Sequence, residues 1–513
     1  MKKSAIISKI IEFLFWPGLI FHLYTASYYA LKGELNFQTD IGRDFLLFEE
    51  ILQKKIVLIG GRTSAAGLFH GPLWSYINFP VFWLSRGNPV AQEWFWLFLI
   101  VLFLFFSFQI CKDLFGKTSA FIFVLLTSSF LAFWAKEFTH PHAAFLLMPF
   151  FFYTLIKYTE NFKIKWLIYH VLLSGFIVQL EVAAGGPFLV LSYLYILFKQ
   201  YKQKHINQAL GFLVILLPLS PYILFDLKHN FFQIKNLIVY VLPHPKEHYV
   251  GLSNILTDRL NYATTFAVPL LHNLGQLKLL NIFFALVFLI LTILRLQEKK
   301  IGRIYWVFLY FFFGYFIISL LSRYYLLTQD FLPLVSVVFM IFASLSQPKF
   351  AKTFLVMFLV VYTLNIYAGT RYLSESKKTM SSSLTSWRIL SKISQDTFSG
   401  PENEFGYFVY SPDKLSYSAK YALVYGSLNS RKKAYYFEKK PVTYVISEAP
   451  AYNDPWAKNF TDVWWIKNSI KIKPEPELII HYKNGYELKK YNLTPDEINI
   501  PWDKQEDTGL HFR

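Results

Sequence analysis

The stretch NFQTDIGRDFLLFEE, residues 36–50, follows a long apolar run that begins near Ile6. It sets two carboxylates and a guanidinium close together, at Asp40, Arg43 and Asp44, in a chain otherwise poor in charge. If the stretch is helical, Asp40 and Asp44 lie one turn apart on one face, with Arg43 three residues from Asp40. Two readings follow. One is a solvated helix edge whose ion pair contributes roughly 0.3–0.5 kcal/mol. The other is a reactive group held at the mouth of a membrane helix. What surrounds the stretch decides between them.

Of 513 residues, 54% are hydrophobic and 20% aromatic, and only 16% are charged. A soluble chain carries about 25% charged residues. Many apolar runs approach the roughly 20 residues that span a bilayer core, so a polytopic α-helical membrane protein is expected. About eleven membrane helices are predicted, at 5–31, 92–111, 119–135, 143–158, 166–182, 186–199, 207–225, 278–296, 304–321, 331–346 and 353–369. The pair flanking VAAGGPF also reads as one broken helix. The first run is too long for a signal-peptide core and lacks a small-residue cleavage site, which predicts a retained anchor. The single cysteine, Cys111, excludes an intrachain disulfide and a cysteine-rich metal site. The formal net charge is +18. Its concentration around apolar runs points to membrane lipids, not nucleic acid.

The loops MKK, CKDLFGK, KYTENFKIK, KQYKQKH, RLQEKKIGR and QPKFAK are all basic and occupy every second connection. By the positive-inside rule these are cytoplasmic, with the N-terminus. Loops 32–91 and 226–277 and the segment from 370 onward are then extracytoplasmic. Residues 1–370 are expected to form the membrane domain and residues 371–513 a separate soluble α/β domain. Strands are predicted at KPVTYVI and across PELIIHYKNGYELKKY, the second with an Asn-Gly hairpin signal. No internal repeat is evident and most charges fall in loops, against a transporter or lipid flippase, the alternative class.

GGRTSAAG, residues 60–67, is glycine-rich but lacks the Lys-Ser/Thr ending of a phosphate-cradling loop. It offers backbone amides and Arg62 to an anion, or is a plain surface turn. HGPLW, starting at His70, leads into an aromatic stretch suited to the headgroup level.

TDIGRD, GRTSAAGLFHGPLWSYI and FDLKHNF (225–231) together resemble the GT-C superfamily of integral-membrane glycosyltransferases. The similarity is to the dolichyl-phosphate-mannose-mannosyltransferase-like family 39 and the RgtA/B/C/D-like bacterial proteins, over roughly residues 10–370. The resemblance implies a sugar donor linked to a polyprenyl phosphate and a hydroxyl acceptor on a lipid, glycan or protein. It makes the first-loop acid catalytic, which falls on Asp40, with Asp44 as second candidate. The sequence departs from the pattern at His140-Pro141-His142, where Asn-Pro is common, and at Gln179-Leu180-Glu181, where Gln-Leu-His is common.

The residues suit that chemistry. A phosphate leaving group needs cationic stabilisation more than a general acid. The acceptor hydroxyl needs a carboxylate within reach to take its proton. One carboxylate and one displacement give inversion at the anomeric carbon. Candidate donor-binding residues are Arg43, Arg62, His70, Lys228, His229, Arg323 and Tyr324. Lys228 and His229 also serve as cations complementing a helix C-terminus, and Arg323 beside Tyr324 as an interfacial anchor. Glu137, His140 and Glu181 fall at outer helix ends and are candidates to line a polar cavity. No metal-ligand motif is present, since His140 and His142 lack the i,i+4 spacing of a helical zinc site. No cofactor is therefore assigned, and a divalent cation stays open.

Overall fold

The computed structural model describes all residues except 1, 64, 66, 242–251, 268–277, 322–327, 347–350, 413–414, 449–461 and 505–513. In chain order the helices are α1 (Lys2–Leu31), α2 (Thr39–Lys54), α3 (Leu73–Leu84), α4 (Pro89–Phe115), α5 (Lys117–Trp134), α6 (His140–Asn161), α7 (Ile164–Leu180) and α8 (Val182–Lys202). They continue as α9 (Leu216–Lys228), α10 (Phe232–Val241), α11 (Leu252–Ala267), α12 (Lys278–Leu296), α13 (Lys299–Ser319), α14 (Leu332–Ser344), α15 (Ala351–Thr379), α16 (Trp387–Phe398) and α17 (Tyr417–Leu428). A helix meets each span expected from hydropathy. VAAGGPF opens a helix of its own: α7 and α8 are separate, with Glu181 extended between them (φ −144°, ψ 99°). Among the described residues, seven helices are long and apolar enough to cross a membrane, within 6–31, 89–115, 117–137, 182–202, 206–228, 301–319 and 352–382. The chain is a multi-pass membrane protein.

The chain divides into two compact units. The first holds Met1–Ser27, Val57–Trp74 and Trp96–Leu373. Its centre is largely apolar: every residue of α14 is buried, as is most of α5. Phe151, Phe152, Phe188, Phe308 and Phe311 interlock there, with the Phe188 and Phe311 rings stacked 5.6 Å apart. Large side chains such as Phe13, Trp16, Leu213 and Leu217 are exposed instead. An exposed apolar surface on this scale suits lipid, where a water-facing one would aggregate. Proline inside α1, α6, α8 and α9 is consistent with membrane helices, whose freed backbone groups find partners in the bundle.

The second unit joins Tyr28–Ile56 and Ser75–Phe95 to Ser374–Arg513. The division therefore cuts across a boundary at residue 370: most of the first loop clusters with the C-terminal segment. Its sheet has strands β1 (Glu404–Tyr410), β2 (Lys433–Tyr436), β3 (Val442–Ser447), β4 (Leu478–His481) and β5 (Glu487–Asn492), in the order β2-β1-β3-β5-β4. β1 pairs in parallel with β2 and β3, while β5 runs antiparallel between β3 and β4. The β4–β5 connection is the expected Asn-Gly turn, with Gly485 at φ +89°. One face buries Phe408, Val445 and Tyr491 against Phe437, Trp465 and Ile470.

Candidate functional site

Asp40, Arg43 and Asp44 all lie in α2 of the second unit. Asp40 stands in the first turn, where a carboxylate complements the helix dipole. The apolar residues of α2 point into an aromatic cluster: Phe37, just ahead of the helix, is 4.8 Å from Trp387, and Phe45 is 4.9 Å from Tyr421. Ahead of α2 the chain is tied to residues at the start of α16. Phe37 N–H donates to the Thr385 carbonyl (2.7 Å), and the Glu34 carboxylate accepts from Ser386 Oγ (2.7 Å) and Arg388 N–H (3.1 Å). Gly42 lies against α17. A Cβ there would sit 2.7 Å from the Ser418 backbone nitrogen, so only glycine allows this approach.

The two carboxylates differ sharply. Arg43 Nη2 meets Asp44 Oδ1 at 2.9 Å, and both side chains are only 6% exposed. Arg43 Nη1 meets Asp40 Oδ1, also at 2.9 Å, but the Asp40 side chain is 55% exposed. Burial acts to lower the Arg43 pKa, yet the neighbouring Asp44 and Asp40 charges outweigh it and raise it above the ordinary value. The pattern is a buried ion pair that anchors the helix, with one carboxylate left facing outward.

A second cluster lies within the first unit. Residues 60–63 and 68–71 pair as a small hairpin: Gly60 N–H donates to the His70 carbonyl (2.8 Å), His70 N–H to the Gly61 carbonyl (2.9 Å), and Arg62 bridges Phe69. Arg62 itself is exposed. The hairpin is pinned to the end of α7, where Gly71 N–H donates to the Gln179 carbonyl (2.7 Å) and Leu73 N–H to Gln179 Oε1 (3.1 Å). Gly71 has no room for a Cβ, which would lie 2.6 Å from Gln179 Cγ. That close docking brings His70 to His140, at the start of α6, with ring centroids 4.0 Å apart. Glu181 joins them. One ligand-capable atom from each of His70, His140 and Glu181 lies within 4.8 Å of the other two, and all three residues are buried.

Glu181 caps α8 through Oε1, which accepts from Ala183 N–H (3.3 Å). Its Oε2 is buried without a hydrogen-bond partner and lies 3.7 Å from His140 Nδ1. His140 Nδ1 contacts the Leu180 carbonyl at 2.8 Å. A carbonyl only accepts, so Nδ1 carries the proton there. His142 has a different task. Its Nδ1 accepts from Thr139 N–H (3.2 Å) in a capping box that starts α6.

The remaining predicted residues do not join either cluster. Lys228 ends α9 and is exposed; His229 follows it, with Nδ1 2.8 Å from the Phe225 carbonyl. Neighbouring Asp226 accepts from Gln233 N–H (2.7 Å) and Ile234 N–H (3.2 Å), capping α10, and Gln233 Oε1 accepts from Phe69 N–H (3.1 Å). FDLKHNF thus buttresses the hairpin that carries His70. Glu137 is half-buried in a 3-10 turn. Arg323 and Tyr324 lie outside the described residues.

No protein-family model matches the chain, and no curated protein does. Among solved structures it is similar to ArnT from Cupriavidus metallidurans bound to undecaprenyl phosphate, with TM-score 0.54 and 12% identity, over 96% of this chain and 98% of that one. It is also similar to ArnT in the apo state, with TM-score 0.53 and 11% identity, over 88% and 93%. This chain shares the fold of ArnT. The likeness spans both the helical bundle and the C-terminal sheet. At 12% identity it is the fold that is shared, so residue roles rest on this chain's own geometry.

Proposed function

We propose that this protein transfers a sugar from a polyprenyl-phosphate-linked donor to a hydroxyl acceptor at the outer face of the membrane. The observation that carries the reading is a GT-C fold shared, over nearly its full length, with a protein seen bound to undecaprenyl phosphate. Asp40 supports it as an outward carboxylate in the first loop, fixed in position by Arg43 but not enclosed by it.

In this reading the acceptor hydroxyl attacks the anomeric carbon as its proton passes to Asp40. The new oxygen–carbon bond forms while the bond from that carbon to the donor phosphate breaks, releasing the lipid phosphate. One displacement inverts the anomeric centre. Arg43 and Asp44 hold Asp40 in place. The test is turnover by purified protein in detergent or nanodiscs. A polyprenyl-phosphate sugar should be consumed with release of polyprenyl phosphate. Turnover of a nucleotide sugar in the absence of any lipid carrier refutes the donor assignment.

A further inference from the structure

We infer that His70, His140 and Glu181 form a binding site for a divalent transition-metal ion of the zinc class. Three segments distant in sequence, the hairpin after α2, the start of α6 and the α7–α8 junction, deliver two imidazoles and a carboxylate to one buried point. Two nitrogen ligands with one carboxylate match the His2Glu set of open zinc sites, whereas magnesium and calcium are held by oxygen alone. The second observation is Glu181 Oε2, 2% exposed as a residue, directed at His140 and lacking any hydrogen-bond partner. A buried carboxylate oxygen in that state calls for a cation.

The surroundings agree with ligation. The His140 Nδ1 contact with the Leu180 carbonyl fixes the ring orientation, as a hydrogen bond from the far nitrogen does for metal-binding histidines. The ligand atoms, within 4.8 Å of one another, would draw together on binding, because zinc–ligand bonds of about 2.0–2.1 Å place tetrahedral ligands about 3.4 Å apart. His140 and Glu181 both open helices, whose N-termini disfavour a cation, but that opposition is small beside three metal–ligand bonds. Three protein ligands leave a position for an external oxygen ligand, from water or a phosphate.

The site is tested on full-length protein purified with a tag free of histidine, stripped with chelator and titrated with Zn2+ and with Co2+. Wild type should take up about one Zn2+ per chain and develop the visible ligand-field bands of a low-coordinate Co2+ centre. His70→Ala, His140→Ala and Glu181→Gln should each lower affinity by at least about tenfold, the loss that even outer-shell substitutions produce. Glu181→Gln is isosteric and keeps an oxygen for the α8 cap, so it reports ligation if an alanine variant fails to fold. Wild type that binds less than half an equivalent, or variants that bind as tightly as wild type, overturn the assignment. The titration uses no sugar donor, so its failure leaves the transfer reading standing, and the reverse.

Discussion

Asp40 and Asp44 share one arginine, and substituting each separates chemistry from stability. Asp44→Ala leaves Arg43 buried with its most enclosed partner gone. Removing one member of a buried pair costs about 3–5 kcal/mol. In a unit of about 190 residues, each kcal/mol moves the melting midpoint by roughly 2–4 °C, so a drop of about 6–20 °C is expected. Asp40→Asn touches a pair whose carboxylate is 55% exposed. Such pairs contribute about 0–1 kcal/mol, so the midpoint should move by less than about 4 °C. Loss of a general base, by contrast, lowers rate by about 10²–10⁴. The assay is paired: tryptophan-fluorescence melting of purified protein, and transfer from a lipid-linked sugar at a temperature where every variant is folded. Asp40→Asn should melt like wild type and be inactive. Near wild-type turnover in Asp40→Asn refutes the base assignment, and an unshifted melt in Asp44→Ala refutes the buried-pair argument.

Three further outcomes are expected. Gly42→Val forces a side chain into the Ser418 backbone and should cost about 1–3 kcal/mol; an unchanged denaturation midpoint shows that α2 does not pack there. Burial acts to raise the Asp462 pKa, but the hydrogen bond and positive charge of Lys489 lower it overall, below its ordinary 3.8. Its contribution is therefore present above pH 3.8 and lost as pH falls through the depressed folded value, so the stability gap between wild type and Asp462→Asn should close on acidification; a gap constant from pH 6 to about 3 contradicts this. Single cysteines at the exposed positions Ser253 and Ser399, in a Cys111→Ser background, should react with an impermeant maleimide on intact cells. Labelling only after lysis reverses the proposed orientation.

Hydropathy located the membrane helices because a bilayer imposes a length and an apolar surface on each, and both are local properties of the chain. The Asn-Gly hairpin was legible for the same reason. What stayed hidden depends on contacts between distant segments. Nothing near residue 36 reveals that Phe37 and Glu34 bond to residues 385–388, so the first loop read as part of the membrane domain. The spacing Asp40-Arg43-Asp44 predicted the ion pair but ranked the two acids only through the family resemblance; their 55% and 6% exposures come from packing against α17 and the aromatic cluster. His70, His140 and Glu181 were each singled out, yet on unrelated grounds. Their convergence depends on the Gly71–Gln179 contact, and a glycine beside a histidine carries no signal of that.

Under the proposed function, these contacts give the C-terminal segment a physical task. A carboxylate acting as a base must be held near its proton within a few tenths of an ångström, and a first loop pinned only by its own helix would not hold it so. Here the entry to α2 is bonded to residues 385–388, its second turn is seated on α17 at Gly42, and Phe45 is wedged against Tyr421. Each of these fixes a different degree of freedom: position along the chain, distance from the sheet, and rotation about the helix axis. Arg43 then fixes the carboxylate itself. Asp40 is thus placed by residues more than 300 positions away in sequence, so substitutions in α16 or α17 that never touch a substrate would act on transfer through the angle at which this one carboxylate is presented.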